Sequence, residues 1–173
     1  MRVVSCNYAQ HAEQILYIFN EAIANSTALY DYTPRPLASM VAWFEDKQSN
    51  QLPVVGIEND AGVLVGFASY GAFRVRPAYK YSVEHSIYIH PEHKGKGLGK
   101  KLLLLIIEQA KAQGYHTLIG GIDSDNTASI ALHVQHGFIH AGTIKESGFK
   151  FGRWLDLAFY QLILATPEYP VDG

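Results

Sequence analysis

A glycine-rich segment in the middle of the chain limits its possible folds more than any other feature. Residues 86–102 read SIYIHPEHKGKGLGKKL, a strand-like run followed by a glycine-rich turn that opens directly into a helix. Glycines can adopt positive φ and let a ligand approach the backbone closely, which we expect here of three residues: Gly95, Gly97 and Gly99. The first amides of a helix lack internal partners and carry the positive end of its dipole. Three lysines add positive charge: Lys96, Lys100 and Lys101. The segment therefore predicts a phosphate or pyrophosphate site.

Two common phosphate loops fit this segment poorly. A Walker loop ends in Lys-Ser or Lys-Thr, and neither pair follows these glycines. A dinucleotide fingerprint has the spacing G-x-G-x-x-G early in a βαβ unit, whereas these glycines alternate in mid-chain. The alternative to a phosphate site is a glycine-rich connection between strand and helix that binds no ligand and carries solvated lysines.

Length and composition favour one ordinary globular domain. The 173 residues suit a single core, which we expect over residues 1–166, with a loosely held tail over residues 167–173. A net charge of −2 gives no reason to expect binding to nucleic acid or to a membrane surface. The longest apolar run, residues 102–107, is too short to cross a bilayer, and the first residues lack the apolar core of a secretory signal. We therefore expect a cytoplasmic protein.

Hydrophobic periodicity predicts the order β-α-α-β-β-β-α-β-α-β-β, an α/β protein with a mixed sheet. The predicted helices cover residues 9–24, 37–48, 97–113 and 126–136. The predicted strands cover residues 2–6, 52–58, 64–70, 81–89, 118–122, 138–145 and 155–164.

The chain resembles the GNAT acetyltransferases in two motifs. Residues 94–99, KGKGLG, are similar to the family's [QR]-x-x-G-x-[GA] pyrophosphate loop, although Lys94 stands where Gln or Arg is usual. Residues 126–138 are similar to its N-x-x-[AS] helix and the following Gly-[FY]. Residues 82–86 and 150–156 also resemble segments of the phosphinothricin and methionine sulfoximine acetyltransferase branch. The resemblance implies the GNAT fold, a mixed, mostly antiparallel central sheet flanked by helices.

The same resemblance implies how acetyl-CoA binds. The cofactor is expected between two parallel strands that part near the centre of the sheet, with its pantetheine arm paired like an added strand. The implied pantetheine contacts are the backbones of Ile87, Tyr88 and Ile89, together with Asn126. The implied pyrophosphate contacts are Gly95, Lys96, Gly97, Leu98, Gly99 and Lys100.

Glu84 is the candidate general base, because an α-amino group must lose a proton before it attacks a thioester. The alternative for Glu84 is an ion pair at the edge of the strand. Strand alternation directs His85 to the opposite face from Glu84 and Ser86. His133 stands where many family members carry a Tyr general acid, and it is either an acid for the departing thiolate or a helix histidine at a solvated edge.

The loop of residues 71–81 is the candidate acceptor site. Arg74 and Arg76 could bind an α-carboxylate, which favours an anionic or zwitterionic amine over a polycation; alternatively they only keep the loop soluble. The branch resemblance implies substrate contacts at Arg74, Val75, Arg76, Glu84, His85 and Ser86.

The predicted function is acetyl transfer from acetyl-CoA to the α-amine of a small amino-acid-like substrate. Phosphinothricin, methionine sulfoximine and methionine sulfone are substrates of the implied type. The alternatives are a polyamine, an aminoglycoside or a protein N-terminus as acceptor, or a non-catalytic module that senses acetyl-CoA. The branch resemblance also implies a homodimer, with residues 150–156 reaching the neighbouring site. Two histidine pairs without cysteine ligands are weak indications of a metal, and we predict none.

Overall fold

The computed structural model describes residues 1–172 and contains seven strands and four α-helices. The strands are β1 (Arg2–Ser5), β2 (Val54–Glu58), β3 (Leu64–Ala72), β4 (Ser82–Ile89), β5 (Thr117–Asp123), β6 (Ile139–Lys150) and β7 (Arg153–Ile163). The helices are α1 (Tyr8–Asn25), α2 (Ser39–Ser49), α3 (Leu98–Ala112) and α4 (Thr127–Gln135). The strands form one sheet in the order β1-β2-β3-β4-β5-β7-β6. The predicted element order and the mixed α/β class are thereby confirmed.

The last two strands are longer than predicted and form a hairpin. The predicted strands stop at residue 145 and resume at residue 155, whereas β6 and β7 leave only Phe151 and Gly152 between them. Both turn residues have positive φ, 53° and 73°, as a tight hairpin turn requires. A register shift between Ile144 and Gly148 interrupts the apolar alternation while pairing continues, which explains why periodicity missed the end of β6.

The contacts divide the chain into two units, which we describe separately. The first unit consists of residues 1–70 and 86–106. In it β1, β2 and β3 pair antiparallel, and a cluster of buried aliphatic and aromatic side chains from α1, α2 and the strands forms a core. That cluster includes Ile15, Phe19, Met40, Phe44, Phe67 and Tyr88. A Cβ added to Gly66 would lie 2.9 Å from Ile89 and 3.2 Å from Leu102, so this glycine allows α3 to pack closely on the sheet.

The second unit consists of residues 71–85 and 107–172. The first half of β4 pairs parallel with β5, from Ser82 opposite Thr117 to Glu84 opposite Ile119. β5 then pairs antiparallel with β7 along its whole length, and β7 pairs with β6. Buried Asp123, at the end of β5, accepts a hydrogen bond from Arg153 at 2.9 Å and so ties β5 to the start of β7.

Among residues 1–172, no helix is both long enough and apolar enough to span a membrane.

Candidate active site

The glycine-rich loop belongs to the first unit and joins β4 to α3. The His90 amide donates to Val65 O at 3.0 Å, and one 3-10 turn over Pro91–His93 leads into the loop. Gly95 and Gly97 have φ of 75° and 76°, and a Cβ at either would meet no atom within 4 Å among the described residues. These two glycines are therefore required by the backbone conformation and not by packing.

Gly99 does not have the positive φ that the sequence predicted for it. It lies in the first turn of α3 and is absent from the described residues with positive φ. The Lys101 amide donates to Gly97 O at 3.3 Å. The amides of residues 98–100 consequently belong to the first turn, where a helix offers N–H groups without an internal acceptor. Together with the exposed Lys96 and Lys100, they make the start of α3 suitable for a diphosphate.

On the strand that precedes this loop, the side chain of Tyr88 points into the core. The Tyr88 ring is buried and packs against Phe19 and Phe67, at ring-centroid distances of 5.1 and 5.4 Å. Ile87 and Ile89 are half-buried. Any contact of Tyr88 with a cofactor therefore has to use its main chain, as the sequence analysis expected.

The turn before the loop brings together three groups that can bind a metal. One ligand atom each of His90, Glu92 and His93 lies within 4.8 Å of the others. His90 Nδ1 accepts a hydrogen bond from the Glu92 amide at 3.3 Å, so one of its nitrogens is already engaged.

Glu84 lies in the second unit, on the part of β4 that pairs with β5. Its half-buried carboxylate lies over Gly121, where a Cβ would be only 2.8 Å from Oε1 and 3.3 Å from Leu157. Burial raises the pKa of the Glu84 carboxyl above its ordinary value, and the positive charge of Arg74 opposes that shift. Glu84 is thus a partly desolvated carboxylate beside one cation, an environment that suits a general base.

The loop of residues 71–81 is organised around Phe73. The Phe73 amide donates to Ser82 O at 3.1 Å and closes the loop at its base. The Arg74 guanidinium lies over the Phe73 ring, 4.2 Å from its centroid, and donates to Phe73 O at 2.8 Å. Val75 is 95% exposed, and Arg76 is also exposed. All three residues are exposed, but Arg74 is held on the Phe73 ring, and it is the one whose charge acts on Glu84.

His85 and His133 form a buried pair on the opposite side of the strand from Glu84. Their Nε2 atoms are 2.8 Å apart, and His133 Nδ1 lies 2.7 Å from Ser129 O. Since a carbonyl only accepts, His133 donates from Nδ1, and its Nε2 accepts the proton of His85 Nε2. Burial, together with the proximity of His133, lowers the pKa of His85 to about 3, and burial also lowers the pKa of His133.

This pairing changes the interpretation of both histidines. Both nitrogens of His133 are engaged inside the protein, and its side chain is buried and not at a solvated edge. It therefore has no nitrogen free to protonate a thiolate. The His85 side chain is buried as well, so we leave it out of the acceptor site, while Ser86 is half-buried.

Asn126 caps the N-terminus of α4. Its Oδ1 accepts a hydrogen bond from the Ser129 amide at 3.1 Å. The residue is exposed, so its Nδ2 donor can still reach a ligand. Asn126 is thus a helix cap first, a role that the sequence analysis did not assign.

Sequence reasoning missed two glycines of β5 that make room for these groups. Gly121 accommodates the Glu84 carboxylate, and a Cβ at Gly120 would lie 3.1 Å from His85 and 3.3 Å from His133. Glycine inside a strand often marks a close approach, so the pair Gly-Gly in an otherwise apolar strand was an available signal.

Comparisons with known proteins identify the family. Residues 16–138 match the model of the acetyltransferase (GNAT) family. A curated relative, the L-methionine sulfoximine/L-methionine sulfone acetyltransferase of Pseudomonas aeruginosa PAO1, is 45% identical over 87% of each chain. The chain belongs to the GNAT acetyltransferase family. It is accordingly an acetyl-CoA-dependent acyltransferase.

Solved structures agree with this assignment. An Acinetobacter baylyi ADP1 protein superposes with a TM-score of 0.99 at 56% identity, over 99% of this chain and 96% of that chain. A phosphinothricin acetyltransferase from Sinorhizobium meliloti, solved with acetyl-CoA, superposes with a TM-score of 0.92 at 37% identity, over 98% and 91% of the two chains. The predicted family, branch and co-substrate class are thereby confirmed.

Proposed function

We propose that this enzyme transfers the acetyl group of acetyl-CoA to the α-amine of a small amino-acid-like substrate. The observation that carries the proposal is the half-buried Glu84 carboxylate with a raised pKa, held beside Arg74. The Glu84 carboxylate can accept a proton from the substrate ammonium, and the Arg74 guanidinium can pair with the α-carboxylate. The names of the methionine sulfoximine and phosphinothricin relatives point to the same class of acceptor.

In the proposed reaction, the loop of Gly95–Lys100 binds the diphosphate of acetyl-CoA, and the backbone of Ile87–Ile89 pairs with its pantetheine arm. Asn126 donates to the same arm through Nδ2. A backbone amide near Tyr88 polarises the thioester carbonyl as negative charge develops on its oxygen.

Glu84 takes a proton from the substrate ammonium, directly or through one water. The amine nitrogen then attacks the thioester carbon, so that a C–N bond forms and the C–S bond breaks. As the tetrahedral intermediate collapses, the nitrogen loses its second proton, which reaches the departing sulfur through solvent, so that CoA leaves as a thiol. Glu84 passes the first proton on to solvent. No side-chain acid is needed, which agrees with the engaged nitrogens of His133.

The acceptor site in this proposal comprises Arg74, Val75 and Arg76 on the loop and Glu84 with Ser86 on the strand. Arg74 is the carboxylate contact nearest to the base. A polyamine or an aminoglycoside would place further positive charge against two arginines and Lys80, which like-charge repulsion disfavours.

We also propose that the enzyme is a cytoplasmic homodimer, active without a metal and without binding nucleic acid or membrane. Support for the dimer comes from exposed apolar side chains on the β6–β7 hairpin: Ile144, Phe149, Phe151 and Trp154. Light scattering of the purified protein tests the dimer, and a monomer at micromolar concentration would contradict it. Undiminished turnover in EDTA is expected, despite the cluster at His90, Glu92 and His93.

The experiment that tests the function is thiol release from acetyl-CoA with a panel of acceptors. The panel contains methionine sulfoximine, methionine sulfone, phosphinothricin, the common amino acids, spermidine and kanamycin. We expect release with the sulfoximine-like amino acids. Release only with spermidine or kanamycin would overturn the acceptor class, and binding of acetyl-CoA without release would favour a non-catalytic sensor.

A further inference from the structure

The C-terminal tail is bonded to the candidate acceptor loop through one hydroxyl. Tyr81 OH donates to Val171 O at 3.2 Å and accepts from the Val171 amide at 3.1 Å. One side chain thus satisfies both polar groups of a residue 90 positions away. Val171 belongs to the tail of residues 167–173, for which the sequence analysis expected loose attachment.

The main chain is also anchored at Tyr81 and directly before the tail. Tyr81 O accepts from the amides of His116 and Thr117, at 2.8 and 3.0 Å, where β5 begins. Directly before the tail, Thr166 O accepts from His116 Nδ1 at 2.8 Å, and the Thr166 hydroxyl donates to Tyr115 O. The tail therefore leaves a firm anchor at Thr166 and returns to the loop at Val171.

A cleft of about 490 Å³ lies between the tail and the loop. Its loop side is formed by Pro77, Ala78, Lys80 and Tyr81, and its tail side by Pro170, Val171 and Asp172. The tail thus forms one wall against the second half of the loop, and the two Tyr81–Val171 hydrogen bonds hold that wall in position.

The second half of the loop is connected to Arg74 by ring contacts. Tyr79 packs edge-on against Phe73 at 6.0 Å, and Phe73 carries the Arg74 guanidinium on its face at 4.2 Å. A displacement of residues 77–81 would therefore reach Arg74 through Tyr79 and Phe73.

We propose that Tyr81 is a positioning residue, which through its bonds to Val171 holds the loop in the shape that presents Arg74 to the acceptor. This inference rests on the proposed function of the loop. The tail is then a structural part of the acceptor site, although it need not touch the substrate. Binding of acetyl-CoA, which we assign to the loop of Gly95–Lys100, does not depend on it.

The test uses Tyr81→Phe, which removes the hydroxyl and keeps the ring. A stop codon after Glu168 removes the partner residue and leaves the Thr166 anchor in place. Tyr169→Phe is the matched control, because it makes the same chemical change within the tail at a residue that is 79% exposed. Two readouts are needed: the KM for methionine sulfone and for acetyl-CoA, and hydrogen–deuterium exchange of residues 72–80.

We expect Tyr81→Phe and the truncation to raise the acceptor KM by roughly 3- to 10-fold, the loss of one or two hydrogen bonds. In the same two variants the acetyl-CoA KM should stay within error of wild type, and exchange in residues 72–80 should become faster. Tyr169→Phe should change neither KM nor the exchange. Unchanged exchange in both variants would overturn the proposal, as would faster exchange with an unchanged acceptor KM. If the wild-type enzyme acetylates no amino acid, the proposed function fails, and slow exchange retained in Tyr81→Phe separately refutes the positioning role.

Discussion

The Glu84 carboxylate occupies the space that a side chain at Gly121 would fill, since a Cβ there would stand 2.8 Å from Oε1. Glu84 stands opposite Ile119 in the parallel register, and its side chain reaches Gly121, two residues further along β5 on the same face. Because Gly121 has no side chain there, the carboxylate lies partly desolvated over the backbone of β5. The raised pKa of Glu84 follows from that burial.

The first prediction concerns Glu84 itself. Glu84→Gln removes the proton acceptor but keeps the shape of the side chain, so turnover should fall by a factor on the order of 10² to 10⁴. The dissociation constant of acetyl-CoA, measured by calorimetry, should stay close to that of wild type. Glu108→Gln, at an exposed α3 position, is the control for the substitution. Wild-type turnover in Glu84→Gln would remove this residue from the mechanism.

The second prediction concerns the pH dependence of kcat/KM. Glu84 must be ionised to act as a base, so its pKa sets the acidic limb of the profile. Arg74 lowers that pKa, and Arg74→Ala should therefore shift the acidic limb to higher pH and weaken acceptor binding. Arg76→Ala removes a charge from the same loop and should leave the limb in place. A limb that does not move in Arg74→Ala would mean that Glu84 is not the titrating base.

The third prediction separates cofactor binding from backbone strain. Gly97 and Gly62 have nearly the same φ, 76° and 77°, and a Cβ at either position meets no described atom within 4 Å. Alanine at either glycine should cost about 1 to 2 kcal/mol of stability, because both would hold an L-residue in the left-handed region. Only Gly97→Ala should weaken acetyl-CoA binding, since only Gly97 lies in the loop that we propose to bind the pyrophosphate. Equal acetyl-CoA affinities in the two variants would refute the assignment of the loop.

The fourth prediction concerns the buried histidine pair. The folded-state pKa of His85 lies near 3, below its ordinary value of 6.5, so the unfolded chain binds a proton more readily. The contribution of neutral His85 to the free energy of unfolding is fully present above pH 6.5 and is lost as the pH falls toward 3. Between pH 7.5 and 5.0, His85 should account for a loss of about 2 kcal/mol in the free energy of unfolding.

Urea denaturation at the two pH values measures this loss. His85→Asn, which does not titrate, should show a shallower fall between them than wild type. The comparison uses the pH dependence and not the absolute stability, because the substitution itself disturbs packing. Equal slopes for the two proteins would show that the pair does not titrate as inferred.

Much of the fold could be predicted because its signals are local. The glycine loop, the periodic helices and the strand alternation each depend on residues close together in the chain, and alternation alone separated Glu84 from His85. The long hairpin was underestimated because the register shift near Ile144 breaks the alternation without ending the strand.

The parts of the site that were missed depend on contacts between distant residues. The spacing within one segment does not indicate that Gly121 accommodates Glu84, or that His133 is bonded to His85 across 48 residues. The bond from Tyr81 to Val171 spans 90 residues and carries no sequence signal. Such contacts appear only when the packing is known.

The measurement that tests the central claim most directly is identification of the product formed from acetyl-CoA and methionine sulfone. Mass spectrometry with fragmentation locates the acetyl group, and a thiol assay run in parallel counts the CoA released. We predict N-acetyl-methionine sulfone, acetylated on the α-nitrogen, in a one-to-one ratio to CoA. Release of CoA without an acetylated amino acid, or no release with any amino acid on the panel, would contradict the account.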